Sequence, residues 1–119
     1  MHIAIFIALL AGSSALSPTD ISERVQPDLD NFIFCVLDES VAKLPSQDSS
    51  EAIASSSADY CSKQLDLLEN AVAAQYRDVN RDVWPDGLAE QVAHENRDEY
   101  RSLAIKSAIK VIDDRRASP

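Results

Sequence analysis

Apolar side chains recur at three- and four-residue steps through three long stretches of this chain, which is the spacing of amphipathic helices. The first stretch covers about Asp28 to Leu44. Leu29, Phe32, Ile33, Val36, Leu37, Val41 and Leu44 form a stripe that Phe34 broadens, which predicts burial against two neighbours. A shorter helical piece, Asp20 to Gln26, precedes it; Pro27 breaks that piece or stands first in the next helix.

The second stretch follows the turn Pro45-Ser46-Gln47-Asp48. Asp48 and Glu51 have capping-box spacing. Cys61, Leu65, Leu68, Val72, Tyr76, Val79 and Val83 then follow in near-heptad order, and the helix is expected to end at Trp84, before Pro85. Ser55-Ser56-Ser57 mark its first turns as a place for a bend or fraying. The third stretch opens at Asp86-Gly87 and runs to about Asp113. Leu88, Val92, Tyr100 and Leu103 lie along one side, and Ala104, Ile105, Ala108, Ile109, Val111 and Ile112 extend around the cylinder. Its middle, His94 to Glu99, is wholly polar. The apolar C-terminal half is either enclosed by its neighbours or exposed for a partner protein or a second copy.

Before these stretches, Ile3 to Ala11 form a short apolar run, and Ser13 and Ala15 place small side chains where a signal peptidase cuts. A signal peptide over residues 1–15 is therefore expected, leaving residues 16–119 as one small helical domain in the periplasm or outside the cell. The competing reading is an uncleaved apolar tail, since Met1-His2 carries no Lys or Arg. The run is far shorter than the ~20 residues of a membrane-spanning helix, so no stable span is expected after cleavage.

Export gives the two cysteines their meaning. Cys35 and Cys61 are expected to form a disulfide. Their midpoint falls at Asp48, inside the turn, as an antiparallel helical hairpin requires, and the same register places Leu44 near Ala52 and Leu29 near Leu67. One tension remains: Cys35 lies off the main apolar arc, near Asn31 and Asp38. Two buried thiols or an intermolecular bond are the alternatives. The expected fold is all-α: a disulfide-linked antiparallel hairpin plus a third long helix, resembling a three-helix bundle. Glycine supports this, because Gly87 is the only one beyond Gly12 and tight β-hairpins lean on glycine.

Candidate chemistry is sparse. A formal charge of −9 repels nucleic acid, and no basic stripe exists to bind it. Asp78, Asn80 and Asp82 alternate like the start of a calcium loop, but Val83 stands where that loop needs Gly and Ala89 where it needs Glu. A charged helical face is the stronger reading. Glu90, His94 and Asp98 are spaced for one helix face, yet a solvated face with ion pairs competes with a metal half-site there. Trp84 is read as core or as a partly exposed contact residue. No catalytic or cofactor motif is recognisable, and none is specific enough to name a family. The leading expectation is a non-catalytic exported protein acting through protein–protein interaction, as an inhibitor, adaptor or stress-related factor. The alternative is binding of a small molecule or a calcium-like cation.

Overall fold

The computed structural model describes the backbone of residues 18–118 and the side chains from Glu23 onward. The expected signal segment, residues 1–15, lies outside the described residues. Four helices account for nearly all of the rest: α1 (Pro18–Ala42), α2 (Ser50–Tyr60), α3 (Ser62–Val79) and α4 (Leu88–Ala117). No strand occurs among the described residues. The all-α expectation therefore stands, with differences at each helix end.

The first difference is at Pro27. The expected break is absent, and α1 runs through the proline. The ring removes the N–H that would bond the Glu23 carbonyl, but Glu23 and Pro27 both face solvent, so water can take that carbonyl. The turns on either side are held independently. Val25 is 2% exposed in the core, and Gln26 Nε2 donates to Asp30 Oδ1 across the proline at 2.6 Å. An exposed proline inside a helix is a standing cost. Pro27→Ala should raise the unfolding free energy by about 1–3 kcal/mol, as the lost helical bond is restored. Urea titration of the two proteins measures it; an unchanged midpoint would mean that the carbonyl of Glu23 gains nothing from the N–H.

The second difference is at the second stretch, which is two helices. Ser49, not Asp48, caps α2: its Oγ accepts from the Ala52 N–H at 3.1 Å. The triple serine stays helical, and the chain breaks at Cys61 instead, whose φ of −95° and ψ of 21° fit neither helix. The break spans one residue. The Cys61 N–H donates to the Ser57 and Ala58 carbonyls, and its own carbonyl accepts from Gln64 and Leu65. The end also moves. α3 stops at Val79, where Asn80 turns its side-chain amide back onto the Tyr76 carbonyl at 2.9 Å. Val79 and Val83 therefore leave the apolar stripe and are 48% and 76% exposed. Residues between α3 and α4 form turns, and Gly87, with φ of +89°, supplies the left-handed step that starts α4.

The buried positions explain how the helices meet. α1 contributes Val25, Phe32, Val36 and Ser40. α2 and α3 contribute Ile53, Ala54, Ala58, Leu65, Leu68, Val72 and Tyr76, with Cys61 at their junction. The innermost line of α4 is small: Ala89, Ala93, Ala104 and Ala108, ending in Ile112. Alanines on that line let the α4 backbone approach its neighbours closely. Leu103, Ile105, Ile109 and Val111 flank it half-buried. The large apolar side chains exposed among the described residues are Phe34, Tyr60, Leu67, Val79 and Val83, and none belongs to α4.

Polar contacts record the register. Asp59 pairs with Arg101 at 2.9 Å, Asp66 with Arg97 at 2.7 Å, and Arg77 with Glu90. Nearer the other end, Ser50 Oγ donates to Asp113, and Arg116 donates to the Ser46 and Asp48 carbonyls, each at 2.8 Å. Partners step backward along α4 as they step forward along α2 and α3, so α4 runs antiparallel to both. Each exposed pair contributes only ~0.2–1 kcal/mol; together they oppose a one-turn slip.

Candidate interaction surface

The disulfide is present. Cys35 of α1 and Cys61 at the α2–α3 junction are joined, with Cα atoms 6.0 Å apart. Cys61 is fully buried and Cys35 half-buried. The off-arc position of Cys35 is thereby accounted for: α1 meets the α2–α3 junction along its flank and turns Phe32 and Val36 to the core.

Beside this bond lies a groove of about 360 Å³. α1 lines it with Asp28, Asn31, Phe34, Cys35 and Asp38, and α3 with Gln64 and Leu67. The helical repeat puts Asp28, Asn31, Cys35 and Asp38 on one ridge about three turns long. Phe34 is 58% and Leu67 50% exposed. Phe34 thus does not broaden the core stripe, as expected from sequence; it opens onto solvent. Periodicity places Phe34 about 100° from Cys35 on the helix, so only knowledge of which flank meets α3 could have separated it from the core.

A second cavity, about 380 Å³, lies at the turns between α3 and α4, with Arg77, Asn80, Arg81, Trp84 and Glu90 in its lining. Trp84 is half-buried and stacks on Tyr76, with ring centroids 5.5 Å apart. Arg77 is occupied by Glu90, whose carboxyl that hydrogen bond holds below the ordinary value.

The candidate cation residues do not converge. Asp78 Oδ2 meets Arg24 at 2.7 Å and Oδ1 meets Arg81 at 3.7 Å; the Arg24 hydrogen bond holds this carboxyl below its ordinary value. Asn80 is buried and caps α3, while Asp82 is exposed in the turn. Glu90, His94 and Asp98 also separate in role: Glu90 pairs with Arg77, His94 Nδ1 lies 3.1 Å from Glu69 Oε2, and Asp98 is exposed. Among the described residues, no group of three His, Cys, Asp or Glu side chains could hold a metal ion.

The polar middle of α4 has a structural use. Asn96 is buried, and its Nδ2 donates to the Tyr76 hydroxyl at 3.2 Å. Burial pushes the Tyr76 phenol above its ordinary value of 10.0; the Asn96 bond opposes this and the Glu99 charge adds to it. Tyr100 is raised further, by burial first and then by the nearby Tyr76 and Glu99. Both groups keep their protons in the folded protein at a pH where the unfolded chain loses them. Stability from these groups is therefore complete below pH ~10 and falls as pH rises through the folded values. Unfolding free energies measured by urea titration from about pH 8 upward should decline above pH ~10, and Tyr100→Phe should flatten the decline. An identical slope in Tyr100→Phe would refute the assignment.

No helix among the described residues is long and apolar enough to cross a membrane. Comparison with protein-family models, curated proteins and solved structures returned no match. The molecule is thus defined by its own features: an all-helical fold over the described residues, secured by one disulfide, with a groove of mixed acidic and apolar lining beside that bond.

Proposed function

We propose that this is an exported, non-catalytic helical protein that acts by binding another protein, with three antiparallel rods (α1, α2 with α3, and α4) as a bundle-like scaffold. The observation that carries the reading is the exposure of Phe34 and Leu67 on one groove. Two large apolar side chains half in water at a concave seam are what a partner would bury. Export is supported by the disulfide, which persists in oxidising compartments, and by the apolar run with Ser13 and Ala15 ahead of the helices. A partner placed on helix α4 has less support, since the large exposed apolar groups lie elsewhere.

The test is recovery of the tagged protein after chemical crosslinking in its own compartment. A partner retained by the natural chain and lost with Phe34→Ser/Leu67→Ser is the expected result. No difference between the two would remove the groove from the reading. Amino-terminal sequencing of the recovered chain tests export: a first residue of Leu16 is expected, and Met1 would sink it. Small-molecule binding is the second reading, favoured by the cavity beside Trp84. Its Arg77 is already paired, which leaves Pro85 and whatever of the Trp84 ring is not stacked on Tyr76 to receive an apolar ligand.

A further inference from the structure

We infer that the groove beside the disulfide takes a cationic amphipathic helix from a partner protein, with that helix's apolar side chains over Phe34 and Leu67 and its Lys or Arg side chains against Asp28 and Asp38. The inference rests on the protein-binding reading and adds the chemistry of the partner. Its first ground is the lining. Asp28 and Asp38 stand at the two ends of the ridge, Asn31 and Gln64 offer amides, and no Lys, Arg or His lines the groove. The nearest cation on α1, Arg24, is drawn away to Asp78. Lys63, a turn before Leu67, is exposed but outside the lining. Neither aspartate takes part in the ion pairs found among the described residues.

The second ground is shape. The ridge from Asp28 to Asp38 spans ten residue steps, about 15 Å at the helical rise. An open groove of that length matches a partner helix presenting apolar anchors at i, i+4 and i+7. The third ground is net charge. At −9 the chain attracts cationic segments and disfavours a second copy, which would bring a duplicate pair of aspartates to the same seam.

The experiment titrates the purified protein with a synthetic helix-forming Leu/Lys peptide, a Leu/Glu peptide of the same pattern, and a Leu/Lys scramble without an apolar face. The amphipathic Leu/Lys peptide alone should bind. Phe34→Ser/Leu67→Ser should weaken it roughly tenfold or more, as loss of central anchors does. Asp28→Asn/Asp38→Asn should weaken it and lower its salt dependence. Glu95→Gln/Asp98→Asn removes the same charge from α4 and should leave it unchanged. Circular dichroism and melting of each variant confirm that all remain folded, as changes at solvent-facing side chains permit.

Equal weakening by the α4 control would show attraction to net charge only and overturn the inference. Equal binding of the Leu/Glu peptide would also overturn it, as would a dimer seen by sedimentation that Phe34→Ser/Leu67→Ser dissolves. Failure of all peptides, beside a crosslinked partner that depends on Phe34 and Leu67, would overturn the cationic chemistry and leave the protein-binding reading in place.

Discussion

Reduction of the Cys35–Cys61 bond should lower the unfolding free energy by about 3–4 kcal/mol, the chain-entropy value for a loop of this length. In a chain this size that corresponds to roughly 12–24 °C in Tm. The bond closes 26 residues of sequence separation, spanning the end of α1, the turn and all of α2. It also pins Cys61, the residue at which α2 gives way to α3. Without it the unfolded chain gains freedom, and the junction loses its cross-link to α1.

The two cysteines should not respond alike when replaced. Cys61 is fully buried and Cys35 half-exposed. Cys61→Ser adds a hydroxyl in the core to the loss of the bond, which costs about 1–3 kcal/mol where it finds no partner. Cys35→Ser places its hydroxyl where water can reach it, so Cys61→Ser should be the less stable variant. Urea titration with and without reductant reads all three proteins. The urea dependence should also steepen on reduction, since the uncrosslinked chain exposes more surface when unfolded. Coincident curves for oxidised and reduced protein would mean that helix packing alone sets stability.

Much of this architecture was legible beforehand because it rests on local periodicity. The core positions Phe32, Val36, Leu65, Leu68, Val72 and Tyr76 all lie on the expected stripes. The disulfide followed from two cysteines in a chain read as exported, and a simple constraint supported it, that residues equidistant from a hairpin turn face each other. What escaped depends on which flank meets which neighbour. Pro27 sits inside α1 because its side faces water, a tertiary fact. The α2–α3 break falls at Cys61, five residues beyond the middle serine of the triplet, where the covalent tie holds a non-helical residue.

Small and polar core residues were also hidden. Ser40 and Ser57 are fully buried on α1 and α2, yet hydropathy ranks them as surface. The groove escaped for a related reason: Phe34 looks like any other core residue in a stripe, and Leu67, off the α3 stripe, gives no sign of what lies beside it. Only the flank-on docking of α1 turns Phe34 outward, beside Leu67.

Tyr76 offers the sharpest division between packing and polar contributions. It is fully buried, stacks on Trp84 and accepts from Asn96 on α4. Tyr76→Ala should cost about 3–5 kcal/mol, the usual toll for deleting a large buried ring and leaving a cavity. Tyr76→Phe keeps the ring and the stack. It strips the Asn96 Nδ2 of its acceptor in a buried site, which should cost about 1–3 kcal/mol. Asn96→Ala in the Tyr76→Phe background should then cost little more, because the orphaned amide is gone with its partner. The pair should thus be strongly non-additive in a double-mutant cycle. Additive losses would mean that Asn96 finds water or another acceptor when the hydroxyl is removed. That outcome would make the polar middle of α4 a tolerated interruption. Non-additivity would make the Tyr76–Asn96 contact the device that fixes α4 against α3 where its apolar stripe lapses.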